Sequence, residues 1–299
     1  MKVLYLCILL ILSIWVLIMV AFFSCSTAMQ QPPVQQKPVE KDIVYVCGLA
    51  KDWTTQVEDN LRRVDSIVKP HEIILITAKK HNTTLHMKQI VQPSHLPPTR
   101  IGRIILLRNM CLRQIENENS NNWKHIKLIW VDTDMKIPDT ALVEAKRELK
   151  RDSTYDVVCA NGRKVDEDIF YYDVSATILI DGTFTYLTPW VYDKSLNRKI
   201  DFREINKIFP HNRRLRQNKY VPVKGCFGGM TIYKYPIDSC RYKHVVKNKK
   251  NKFYNRYRYN GDAKLCEHIP FHFCLQNRGA KLAVNLDMEV FWSGPPDDA

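Results

Sequence analysis

The sequence predicts an α/β protein, a mixed but mostly parallel sheet flanked by helices, preceded by one N-terminal transmembrane helix. Three observations predict it. Residues 42–150 alternate short β-rich runs with stretches of helical spacing, the order that builds a parallel sheet covered on both faces. Residues 3–23 carry no charge. The 299-residue chain is 45% hydrophobic with 10 Gly and 15 Pro, which suits one large folded domain and excludes collagen-like, repeat and disordered classes.

The apolar run is long enough, at about 1.5 Å per helical residue, to cross a bilayer core of roughly 30 Å. It is also longer than the apolar region of a cleaved signal peptide, although small residues at Ser26 and Ala28 leave cleavage open. Lys2 and the α-amino group flank it on one side, against a mixed Lys37, Glu40, Lys41 and Asp42 on the other. That bias places the N-terminus in the cytoplasm and the rest of the chain across the membrane, as a type II signal anchor. Residues 1–24 are therefore read as the anchor, 25–41 as a Pro/Gln-rich stem and 42–299 as the folded domain. Asn82-Thr83-Thr84 is a glycosylation sequon consistent with a lumenal face. Of nine cysteines, Cys7 lies in the span and Cys25 at its edge; the other seven show no CxxC spacing, so a zinc ribbon is not indicated. One or two disulfides are expected, Cys240 with Cys266 as a candidate pair, and the odd count leaves one thiol over.

Within the domain, residues 42–49 (DIVYVCGL) read as a first strand, and 54–68 follow with helical spacing up to Lys69-Pro70. Residues 72–77 (EIILIT) form a second strand, and 99–116 an amphipathic helix with Arg103, Arg108 and Arg113 on or near its polar side. Residues 126–131 (IKLIWV) are the most apolar strand and run into Asp132-Thr133-Asp134-Met135 before a helix over 138–150. Strands are expected at 155–161, 175–180 and 281–292, and a helix over 262–278 closed by Gly279.

Four groups of residues carry candidate chemistry. Asp132 and Asp134 stand at the carboxyl end of a buried strand, where ligands of open α/β sheets bind. Two carboxylates in a turn can converge on a hard cation, Mn²⁺ or Mg²⁺, although Asp is also an ordinary turn former. Gly225 to Met230 (GCFGGM) lets backbone approach a ligand closely or makes a hairpin. Glu267 lies between Cys266 and His268 in an expected helix, placed to act as a base or to stabilise charge. His272, four residues after His268, reads as a buried core histidine before a metal ligand. Arg103, Arg108 and Asn109 offer a diphosphate clamp or a solvated helix face. The net charge of +14 is local: residues 194–258 hold 19 basic and three acidic side chains, a net of +16, which suggests an anionic ligand, an acidic polymer or a charged membrane face, with the lysine-rich loop 247–252 (KNKKNK) read as solvated.

In order, VCGL, Arg108-Asn109, WVDTDM, YDVVCANG, Tyr171-Tyr172-Asp173, GCFGGM and Cys266-Glu267-His268 resemble GT-A-fold glycosyltransferases. The similarity is to fungal capsule-associated α-1,3-mannosyltransferases, Golgi mannan polymerase subunits and glycosyltransferases of large algal viruses. The resemblance implies that Asp132 and Asp134 hold Mn²⁺ (or Mg²⁺) on the diphosphate of a nucleotide-sugar donor, GDP-mannose. It implies that Arg103 and Arg108 help bind that donor, that Tyr172 and Asp173 lie at the sugar pocket, with Asp173 catalytic, and that Gly228 and Gly229 flank the acceptor. Glu267 matches the acid at the start of the catalytic C-terminal helix. Such enzymes often supply a metal-binding His on or after the last strand; this chain has none beyond His272, so the third ligand is His272, water or absent. The acceptor would be a glycan or glycoprotein hydroxyl, and the resemblance implies a Golgi or ER membrane with the catalytic domain in the lumen. A membrane-tethered, non-catalytic glycan- or polyanion-binding module is the rival reading, whereas the lumenal orientation argues against a nucleic-acid partner.

Overall fold

Strand β1 (Ile43–Ala50) sends alternate side chains into two cores, Tyr45 and Cys47 to one and Val46 and Ala50 to the other. In this computed structural model the described residues are 42–119, 123–150, 154–165, 169–171, 176–180, 202–243 and 266–292. The expected membrane span, the stem, Tyr172, Asp173 and the lysine-rich residues 247–252 lie outside them; among the described residues no helix is long and apolar enough to cross a membrane.

Helix α1 (Thr55–Val68) begins where Thr54 Oγ1 accepts the Val57 N–H at 3.2 Å. It ends at Lys69, which takes a left-handed φ of 56° and donates its N–H to the Asp65 carbonyl before Pro70. Val57, Leu61, Val64 and Val68 recur at helical spacing and bury one stripe on the sheet. Strands β2 (Glu72–Thr77) and β3 (Lys88–Val91) follow. Helix α2 (Arg100–Asn119) is capped by Thr99, whose Oγ1 accepts from Gly102 N–H at 3.1 Å. Strand β4 (Ile126–Asp132) and helix α3 (Asp139–Lys150) complete the first half. The second half contains β5 (Val157–Val165), β6 (Ile169–Tyr171), β7 (Ile178–Leu179), α4 (Phe202–Ile208), β8 (Tyr220–Gly225), β9 (Met230–Tyr233), α5 (His268–Gln276) and β10 (Leu282–Trp292).

The ten strands form one sheet in the order β3-β2-β1-β4-β9-β5-β10-β8-β7, with β6 on β5. Helices α1 and α3 cover one face; α2, α4 and α5 cover the other. Four of the pairings among described strands are parallel and five antiparallel, so the expectation of a mostly parallel sheet is corrected to a mixed one. The first half is parallel throughout, with helices returning the chain from β1 to β2 and from β3 to β4, and in the second half β5 runs parallel to β10. Strand β9 then enters antiparallel between β4 and β5. Residues 226–229 reach it by crossing one face over β10 and β5, held there by the Cys159–Cys226 disulfide.

Two further expectations change. The C-terminal helix is short, starting at His268 with Pro270 in its first turn, where a missing N–H costs nothing. Gly279 does close it, at φ +101°. Cys240 pairs with Cys274 and not with Cys266, which takes part in no disulfide; with Cys47–Cys111 and Cys159–Cys226 the described residues hold three disulfides.

Candidate active site at the carboxyl edge of the sheet

Strand β1 is flanked by β2 on one side and β4 on the other, so the chain order reverses there, and ligands of open α/β sheets bind at the carboxyl ends of strands beside such a point. Asp132 ends β4 at that edge. The following turn is held from three sides. Asp132 N–H donates to the Gly229 carbonyl at 2.8 Å. Thr133 Oγ1 donates to the Leu49 carbonyl at 2.6 Å. From α1, the buried Asn60 donates Nδ2–H to the carbonyls of Thr133 (3.0 Å) and Met135 (2.5 Å), and Gln56 Nε2 to that of Asp134 (2.6 Å). With its backbone so fixed, the turn presents the Asp134 side chain to solvent, without a hydrogen bond or ion pair to a described residue.

The glycine loop is built against this turn. Gly228 and Gly229 take φ values of +66° and +78°, which L side chains rarely adopt. A Cβ on Gly228 would lie 2.0 Å from the Ala160 carbonyl oxygen, and one on Gly229 2.8 Å from Met135 Cε. These glycines serve close backbone approach and bring β4, β9 and β5 together beside the two aspartates.

Arg108 occupies the centre of the edge from the α2 side. Only 4% exposed, it places Nη2 3.3 Å from Asp132 Oδ1 and Nε 3.4 Å from Glu267 Oε1. Its guanidinium also contacts the His268 ring and lies over the rings of Phe227 (4.6 Å), Trp130 (5.3 Å) and Tyr242 (5.4 Å). Burial works against its charge, but Glu267, Tyr242 and Asp132 outweigh burial and hold it firmly protonated. The expected diphosphate clamp is thus redirected: Arg108 is committed to two carboxylates. Arg103, five residues earlier and so about 140° round the helix, points elsewhere and donates Nη1 to the Pro98 carbonyl at 3.3 Å.

Glu267, 4% exposed, sits one residue before α5 and is brought to Asp132 through Arg108. His268 packs face to face on Phe227 at 3.8 Å, and burial with the Arg108 charge keeps it neutral well below its ordinary pKa. His272 is corrected as a metal ligand. Its Nδ1 accepts the Cys226 N–H at 3.3 Å, so in the neutral ring Nε2 carries the proton and donates to Tyr233 Oη at 2.9 Å, leaving no lone pair for a metal. Burial, then the Arg108 charge, lowers its pKa to about 3.

Among the described residues no group of three His, Cys, Asp or Glu is arranged to hold a metal. The residues still fit a hard divalent ion of the kind that takes one or two carboxylates and completes its shell with substrate phosphates. Asp132, Asp134 and Glu267 carry three formal negative charges against one on Arg108, an excess that a divalent cation offsets. Sequence reading gave no role to Asn60, Trp130, Phe227, Tyr242 or His268. Trp130, Phe227 and His268 lie inside the motifs WVDTDM, GCFGGM and Cys266-Glu267-His268, whereas Asn60 and Tyr242 carried no local signal.

A search of curated proteins returns no match. The solved structure of GalNAc-T7 with UDP, GalNAc and Mn²⁺ is similar at 14% identity with a TM-score of 0.41, over 85% of this chain and 44% of that one. The chain thus spans less than half the length of that protein. The family described as Cryptococcal mannosyltransferase 1 matches residues 43–266, most of the chain and every site element from β1 to β9. The chain belongs to the Cryptococcal mannosyltransferase 1 family, and its described residues fold into a mixed α/β sheet.

Proposed function

We propose that this protein is a metal-dependent hexosyltransferase that moves mannose from GDP-mannose to a hydroxyl of a glycan or glycoprotein acceptor, acting from a type II anchor on the lumenal side of a Golgi or ER membrane. The observation that carries the reading is the pinned Asp132–Asp134 turn at the reversal point of the sheet, with the buried Glu267 drawn to it by Arg108. Three disulfides and an exposed Asn82 sequon support an oxidising, lumenal compartment.

Asp134 and Asp132 would hold Mn²⁺ or Mg²⁺, which when bound supplies Lewis-acid stabilisation of the departing diphosphate. Asn60, Gln56 and the Gly229 carbonyl keep the turn from moving as charge develops, the preorganisation that makes electrostatic stabilisation effective. Arg108 orients Asp132 and Glu267 and is a positioning residue. Glu267 takes the acceptor proton if configuration inverts, or stabilises the positive sugar centre if it is retained. Tyr172 and Asp173 keep their implied place at the sugar pocket and lie outside the described residues.

The test is a panel of sugar nucleotides screened for Mn²⁺-dependent hydrolysis and transfer by the full chain. GDP-mannose turnover abolished by chelation and by Asp134→Ala is expected. Turnover undiminished by both removes the proposal. The ion pair already made by Asp132 favours one rival, a tethered glycan-binding module. Glycan binding without donor hydrolysis is its signature.

A further inference from the structure

A second arginine lies buried on the same edge and has no part in the chemistry above. Arg163, on β5, is 0% exposed. It donates Nη2 to the Phe209 carbonyl at 2.8 Å, and its Nε stands 3.6 Å from Glu289 Oε1. Among the described residues neither Nη1 nor Nε has a hydrogen-bond partner. Glu289 is a poor counter-ion for it, since the same Oε1 already accepts from Arg216 Nη2 at 2.6 Å and faces His211 Nδ1 at 3.0 Å. Arg216 is by contrast fully paired, with Asp287 at 2.8 Å and with the carbonyls of Pro210 and His211. Burial, only partly opposed by Glu289, lowers the Arg163 pKa to about 10.

Two residues earlier on the same face of β5, the buried Asn161 donates Nδ2 to the Leu286 carbonyl at 3.3 Å and leaves Oδ1 without a partner among the described residues. Leu286 belongs to an interruption of β10: Asn285 pairs with Ala160 and Glu289 with Asn161, so three residues bulge out between them. Such bulges re-aim side chains beside binding sites. An under-paired guanidinium and an unpaired amide oxygen thus stand side by side. Gly162, between them, is so close to Gly228 that an added Cβ would meet its Cα at 2.9 Å. From β5 to Asp132 on β4 is two strand spacings, roughly 10 Å. The cluster reaches solvent at His211 and Asp287, whose side chains are each 40% exposed.

We propose that Arg163 and Asn161 form a subsite for an oxyanion-bearing sugar, Arg163 receiving a carboxylate or phosphate and Asn161 Oδ1 accepting a neighbouring sugar hydroxyl. A planar guanidinium with open donors matches either group. Assignment of that sugar to the acceptor rests on the transferase reading; the preference for an oxyanion does not.

The experiment is calorimetric titration of the full chain, in EDTA and without nucleotide, with glucuronate, glucose 6-phosphate and glucose. The anionic sugars are expected to bind at least tenfold more tightly than glucose, and the ratio of the two anions distinguishes carboxylate from phosphate. Arg163→Gln is expected to remove that preference. Where that variant does not fold, Asn161→Asp, which sets a negative charge beside the ligand, is expected to weaken both anions at least tenfold and glucose little. Equal binding of all three sugars, no binding of either anion by folded protein, or a folded variant with unchanged preference overturns the proposal. Because metal and donor are absent, a failed GDP-mannose assay leaves this result standing, and the reverse.

Discussion

The Nε of Arg108 stands 3.4 Å from Oε1 of Glu267, and both side chains are buried. One comes from the middle of α2 and the other from the threshold of α5, and the guanidinium that joins them also holds Asp132. A buried cation with two carboxylates is costly to interrupt, because removing either sign leaves the other uncompensated.

Arg108→Met is therefore expected to cost about 3–5 kcal/mol of stability, measured by chemical denaturation. The double variant Arg108→Met/Glu267→Gln should recover part of it, a coupling of about 0.5–3 kcal/mol in a double-mutant cycle. Glu267→Gln alone keeps the shape; it is expected to lower kcat by about 10²–10⁴ with little change in KM for the donor. An additive cycle would show that the pair is not coupled.

Asn60 makes no contact with a substrate in the reading above, yet its Nδ2 satisfies two carbonyls of the Asp132–Met135 turn. Asn60→Ala is expected to cost about 1–3 kcal/mol by leaving those buried acceptors unpaired. It should also weaken Mn²⁺-dependent donor binding, which calorimetry would detect. Unchanged binding would mean that the turn holds its shape without α1.

Two left-handed glycines make a controlled comparison. Gly228→Ala places a Cβ 2.0 Å from a carbonyl oxygen and is expected to destabilise by about 2–4 kcal/mol, from strain and overpacking together. At Gly279, φ +101°, nothing lies within 4 Å, so Gly279→Ala should cost only the backbone strain, about 1–2 kcal/mol. Equal shifts in denaturation midpoint would refute the close-packing account of the loop.

His268 and His272 are buried and neutral, with pKa values held below 6.5, that of His272 at about 3. The unfolded chain binds protons below pH 6.5 that the folded chain refuses, so their contribution is complete above that pH. Both contributions are lost as pH falls below about 6.5, that of His272 down to about 3, with a slope of up to about 1.4 kcal/mol per pH unit for each histidine. Denaturation curves collected between pH 7.5 and 4.5 measure it, and His272→Gln should flatten the slope. A flat profile in the parent protein would show that neither ring resists protonation.

Much of this was legible in the chain. The strands at 72–77 and 126–132 and the helices over α1 and α3 follow from periodicity and caps, because local sterics and an apolar stripe decide them. The aspartate turn and the positive-φ glycines were readable for the same reason. The short strand β3 and helix α4 were not, since so few residues carry too little periodic signal against turns and loops. Cysteine spacing showed that one thiol must be left over, but not that Cys274 would be the partner of Cys240, since pairing depends on where the Cβ atoms meet.

The sequence by itself thus determined the alternation of the first half, the carboxylates at the end of β4 and the local excess of positive charge. Only the tertiary structure decided that Arg108 faces Asp132 and Glu267 instead of solvent, that His272 spends both nitrogens inside the core, and that Arg163 is left short of partners. The reason is physical. Helical and strand periods are set by neighbours a few residues away, whereas the partner of a buried charge comes from whichever distant segment packing brings within a few ångströms.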